Sequence, residues 1–112
     1  MRPMPLPALA AALSFATAAA AEPSAANGRV LFAKVGCYQC HGYQGQGGAA
    51  GPRIAPDPRP FDALAAFVRT TSGEMPPYSQ TLLSDQDLAD IYAYLQSVPR
   101  PPPVGSLPLL NP

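Results

Sequence analysis

The 112-residue chain has no tryptophan, one histidine, two cysteines and a single lysine, Lys34. Each scarcity removes a class of function. Charged residues make up 12% of the chain and the formal net charge is zero, so there is no basic footprint for a nucleic acid. A structural zinc site takes four good ligands, and Cys37, Cys40 and His41 offer three with no second pair elsewhere. No segment alternates polar and apolar residues for long enough to mark a strand. Large aliphatic and aromatic side chains are few, and a chain this small usually needs a disulfide, metal or cofactor to hold a fold.

The N-terminus stands apart in composition. MRPMPLPALAAALSFATAAAA has one cation, Arg2, then an apolar stretch from Leu6 to Ala16 and a small-residue run. Ala19-Ala20-Ala21 before Glu22 satisfies the A-x-A pattern of secretory cleavage. The apolar stretch is shorter than the ~20 residues that span a bilayer. Residues 1–21 therefore read as a signal peptide removed on export, with retention as an anchor the alternative. Residues 22–98 form one small domain and residues 99–112 a proline-rich extension. The chain after cleavage is not expected to be an integral membrane protein.

Three segments have a helical apolar period. The first, about 25 to 35, spaces Gly28, Leu31, Phe32 and Val35 along one face. The second, about 61 to 70, does the same with Phe61, Leu64, Ala65 and Val68, with Pro60 suited to its first turn. The third begins at Ser84, a good N-cap, with Asp85 and Asp87 where the helix dipole favours negative charge. Its stripe is Leu88, Ile91, Tyr92 and Leu95, and Pro99 stops it. The expected fold is all-α: about three short helices, long loops and no internal repeat. The loop from Gly42 to Arg59 holds five glycines and three prolines; loops of that length in a compact domain are usually functional or wrapped around something. The tail from Pro99 has six prolines in fourteen residues and reads as extended polyproline II or mobile chain.

Both cysteines and the only histidine fall in GCYQCHGYQGQGG, residues 36–48. As a disulfide, Cys37 and Cys40 would close a very short loop, which restrains the unfolded chain little. A thiol–disulfide redox pair should lie near a β-α-β unit, for which the chain offers no strand. Zinc remains short of ligands. Covalent haem attachment fits best, because C-x-x-C-H is its signature. Residues at i, i+3 and i+4 share one face of a helical turn. Cys37 and Cys40 can then bond the two haem vinyl groups while His41 points at the iron.

The other face of the iron needs a second ligand. His41 is the only histidine and both thiols are used. Met1 and Met4 leave with the signal peptide, so Met75 in SGEMPPYS remains. His/Met coordination raises a reduction potential. Pro76 holds the residue before it extended, and Pro77 stiffens the segment further. The plainer alternative is that Met75 fills a gap in the core, as methionines often do.

These residues resemble a class I cytochrome c of the small bacterial periplasmic type, over about residues 27–99. Gly28-Arg29-Val30-Leu31-Phe32 is similar to the family's first helix, and Cys37-Tyr38-Gln39-Cys40-His41-Gly42 to its haem site. Gly51-Pro52-Arg53-Ile54 resembles Gly-Pro-x-Leu. The resemblance implies that the Pro52 carbonyl accepts the histidine's free N–H and that Ile54 packs on the haem. Met75-Pro76-Pro77-Tyr78 looks like the methionine strap. LADIYAYL looks like the last helix, with Ile91 and Tyr94 as partners of Gly28 and Phe32. Two departures stand out. The lysines that often ring the haem edge reduce here to Lys34, and the tail after Pro99 lies outside the family core. Arg53, Arg59, Arg69 and Tyr78 are candidates for bonding haem propionates, but each reads first as solvated surface. Tyr38, Gln39, Tyr43 and Gln44 read as spacers or loop surface.

The resemblance implies one haem c with its iron, a periplasmic location and a non-enzymatic role as a one-electron carrier. Its partners would be redox proteins such as a dehydrogenase, an oxidase or another cytochrome, met as a monomer or within a complex. A haem subunit of a periplasmic dehydrogenase or oxidase ranks second, and a haem peroxidase or ligand sensor third.

Overall fold

The computed structural model describes Met1 and residues 18–111; most of the expected signal peptide, residues 2–17, lies outside the described residues. Among the described residues, four α-helices follow one another: α1 Ala25–Lys34, α2 Tyr38–His41, α3 Phe61–Thr70 and α4 Asp85–Ser97. Among the described residues there is no strand, only an isolated bridge between Gly48 and Gly51. The α-helix not expected from periodicity is α2, a single turn too short to show a period.

Each helix end has a local cause. Ser24 caps α1 by accepting from the Asn27 N–H at 3.2 Å. Ser84 caps α4 in a reciprocal box: its hydroxyl accepts from the Asp87 N–H at 3.0 Å, and the Ser84 N–H donates to the Asp87 carboxylate at 3.3 Å. Val98, forced extended by Pro99, ends α4. Pro60 sits just outside α3 at its N-cap rather than within the first turn.

α1 and α4 pack directly on each other, whereas α3 meets α4 at few points. The α1–α4 crossing is close because Gly28 has no side chain: a Cβ there would collide with the Asp90 carbonyl in α4. One turn on, the Phe32 and Tyr94 rings meet edge to face at 5.6 Å. Across the other side of α4, Phe61 meets Tyr92 in the same manner at 5.3 Å. The core gathers Phe32, Leu64, Val68, Leu83, Leu88, Ile91 and Leu95, with Ala55 and Tyr94 beside them.

The glycine-rich loop is ordered by backbone bonds back onto itself and onto α2. The Gly45 carbonyl accepts from Ile54 at 2.8 Å and from Ala55 at 3.1 Å, and the Gly47 N–H donates to the His41 carbonyl at 2.7 Å. The Tyr94 hydroxyl pins the loop to α4 through the Tyr43 carbonyl at 2.7 Å. The tail has no regular element from Pro99 to Pro103 and then forms two 3-10 turns, Val104–Ser106 and Pro108–Leu110. Arg100 grips Asp57 with both guanidinium nitrogens, at 2.7 and 2.6 Å, beside the start of the tail.

Candidate haem site

α2 presents the C-x-x-C-H residues on one short turn, and Gly42 ends it at φ 77°, a left-handed conformation that other residues resist. Cys37 opens the turn, half-buried, and Cys40 is exposed; neither is in a disulfide. Desolvation by burial pushes the Cys37 thiol up to about 11, so it stays protonated at neutral pH and is no reactive thiolate. Among the described residues, no three His, Cys, Asp or Glu side chains gather to hold a metal ion. A zinc cage therefore lacks its ligands among the described residues.

His41 is buried, at 8% exposure. Its Nδ1 lies 2.7 Å from the Pro52 carbonyl oxygen. A carbonyl only accepts, so Nδ1 carries the proton and Nε2 keeps a free lone pair. That is the tautomer a metal-ligating imidazole needs, and a carbonyl acceptor of this kind fixes the ring and raises its basicity.

Three cavities, of about 40, 90 and 180 Å³, all have His41 and Met75 in their walls. Between them they take in Cys37, Cys40, Pro52 and Ile54, so all six candidate residues border one crevice system. The 40 Å³ cavity is walled by the core itself, from Phe32 on α1 through Leu64 and Val68 on α3 to Leu88, Ile91 and Leu95 on α4. Glu74 is the one charged residue lining any of the three. An apolar slot with two thiols at its rim, one imidazole and one thioether fits a porphyrin and its iron in donor type and in lining. A larger cavity of about 500 Å³ lies between α1, the end of α4 and Tyr43, and none of the six residues borders it.

Two residues expected at the surface are drawn inward. Arg69 is held with its side chain 18% exposed. Tyr78 is half-buried, and burial raises its phenol above the ordinary range. Arg69 donates to the Tyr78 carbonyl of the strap and the Tyr78 hydroxyl to the Val35 carbonyl, anchoring a segment whose Pro76 and Pro77 have no N–H to offer. Arg53 and Arg59 stay exposed; Arg59 lies over the Phe67 ring at 5.0 Å. Tyr38 is half-buried and stacks on Tyr43 at 4.6 Å. Asp90, buried at 5% exposure on α4, had no signal in the sequence beyond being an acid on a helix with other acids.

A helical fold whose core also walls the slot between His41 and Met75 is that of a small all-α cytochrome c. Residues 23–95 match the family described as cytochrome c oxidase, cbb3-type, subunit III, and the chain belongs to that family. It is also 37% identical over 92 residues to a thiosulfate dehydrogenase of Psychrobacter arcticus. That match takes in 71% of this chain and 28% of the relative, so the chain spans little more than a quarter of that protein's length. No solved structure matches the chain. Membership brings a covalently bound haem c with its iron, and with it haem-based electron transfer. Among the described residues, no helix is long and apolar enough to cross a membrane.

Proposed function

We propose that the chain is a periplasmic one-electron carrier in which His41 and Met75 take the two faces of the haem iron. When bound, haem c supplies an iron that alternates between ferric and ferrous states. Cys37 and Cys40 would hold it through thioether bonds. His41 would offer Nε2 while Pro52 holds its other nitrogen, Met75 would offer its thioether, and Ile54 would pack on the group as part of the apolar lining. Ligands that are already fixed change little between oxidation states, which keeps the reorganisation on electron transfer small. The observation that carries this reading is the sharing of all three cavities by His41 and Met75.

Replacing Met75 by Ala tests it. The variant is expected to lose the weak near-infrared iron–sulfur charge-transfer band of the ferric protein and to have a lower reduction potential. Retention of both would remove Met75 from the iron.

A second reading has a specific support. The similarity to a thiosulfate dehydrogenase, of which the chain covers 28%, supports a haem subunit or partner of a periplasmic dehydrogenase as that second reading. Purification from the native source separates the two, since a subunit elutes with its complex and a shuttle elutes alone.

A further inference from the structure

The strap from Met75 to Tyr78 contains two prolines, so only Met75 and Tyr78 have backbone N–H groups. Its anchors must come from elsewhere. On one side they come from the end of α3: the Tyr78 N–H donates to the Val68 carbonyl at 2.9 Å, and Arg69 Nη1 donates to the Tyr78 carbonyl at 2.9 Å. The Thr71 hydroxyl adds a long bond to the Met75 carbonyl at 3.4 Å. Arg69 is itself steadied by Asp85 at the start of α4, 2.8 Å from Nη2. On the other side, the Tyr78 hydroxyl donates to the Val35 carbonyl at 2.8 Å. Val35 lies two residues before Cys37, on the segment that enters the C-x-x-C-H turn. Tyr78 also borders both cavities that contain Cys37 and Met75 together.

We propose that Tyr78 and Arg69 are positioning residues for Met75, forming a clamp that fixes the strap to α3 and to the His41-bearing segment and so sets how firmly the thioether holds the iron. This rests on the assignment of Met75 as a ligand. Neither residue touches the iron. Arg69 orients the strap through a charge-assisted bond to a carbonyl, a stronger bond than a neutral one. Tyr78 ties the two walls of the crevice together, so that the Met75 wall cannot swing away from the His41 wall. The Arg69–Asp85 ion pair contributes little by itself, because Asp85 is 68% exposed.

The test is competition for the iron by imidazole in the ferric holoprotein, followed as loss of the near-infrared charge-transfer band. Tyr78→Phe removes only the hydroxyl, and Arg69→Gln only the charge and the fork. Each is expected to bind imidazole about tenfold more tightly than the parent protein, the effect of losing one net hydrogen bond that holds the competing ligand in place. Asp57→Asn, which cuts the exposed pair with Arg100, is expected to match the parent. The clamp is overturned if both variants bind imidazole within twofold of the parent, including the case in which their melting temperatures fall, since a purely structural role would move the second quantity alone. A parent protein without the band would instead overturn the ligand assignment, and the clamp with it.

Discussion

The Asp90 carboxylate accepts three hydrogen bonds, from the Ser24 N–H at 2.8 Å, the Asn27 side-chain amide at 2.7 Å and the Gln86 amide at 3.1 Å. Two of the three donors belong to the start of α1, more than sixty residues away in sequence. The bonds from Asn27 and Ser24 hold the Asp90 pKa below the usual carboxylate range against the opposing effect of burial. A lowered folded-state value means that Asp90 stabilises the fold above the unfolded pKa of about 3.9. That contribution is lost as pH falls through the folded-state value. Asp90→Asn is therefore expected to cost about 1–3 kcal/mol at pH 7, the range for hydrogen bonds to a charged group. Denaturant unfolding at pH 7 and in acid checks this. The gap between variant and parent should shrink in acid, and an equal gap at both would show that the charge is not what matters.

At the scale of elements, the α1–α4 pair depends on the absence of a side chain at Gly28. A Cβ would overlap the Asp90 carbonyl and the start of the next peptide unit, at Ile91. Backbone cannot turn aside as a flexible side chain can, so the helices would have to separate and carry Phe32 away from Tyr94. Gly28→Ala is expected to destabilise by about 1–3 kcal/mol or more, despite the better helix propensity of alanine. Gly48→Ala, where a Cβ meets nothing within 4 Å, is the matched control and should stay within about 0.5 kcal/mol; thermal unfolding of both holoproteins gives the comparison. The helices that make this pair were legible because Phe32, Leu88, Ile91 and Leu95 recur at helical spacing, and the C-x-x-C-H turn was legible because its residue types are rare in the chain. The partners of Asp90, and the inward turn of Arg69 and Tyr78, were not. Apart from the Gln86–Asp90 bond, those contacts join residues nine to sixty-six apart, and nothing in a local pattern separates an acid or arginine that is bonded across the fold from one facing water.

For the whole molecule, the crevice and the core are largely the same set of side chains. Among the described residues, seven of the nine buried hydrophobic ones, all but Ala55 and Tyr94, also line the cavity that His41 and Met75 share. α1 and α4 have each other, but α3 has few contacts with α4, and Leu64 and Val68 face the crevice. The strap is anchored mainly to α3, so it inherits whatever disorder α3 has. Without the porphyrin these elements would have to close on a slot lined by aliphatic side chains, or leave it to water, and a domain this small has little other burial to offset the entropy of its long loops. A group that packs only in the folded state stabilises that state, and a covalently attached one does so intramolecularly, whatever the concentration of the protein. Cys37→Ala/Cys40→Ala protein prepared free of haem is therefore expected to lose most of its helical circular dichroism and to melt without a cooperative transition, whereas the holoprotein melts cooperatively. A sharp thermal transition in the haem-free variant would mean that α1 and α4 suffice to fold the chain and that the porphyrin is a guest in a core already made.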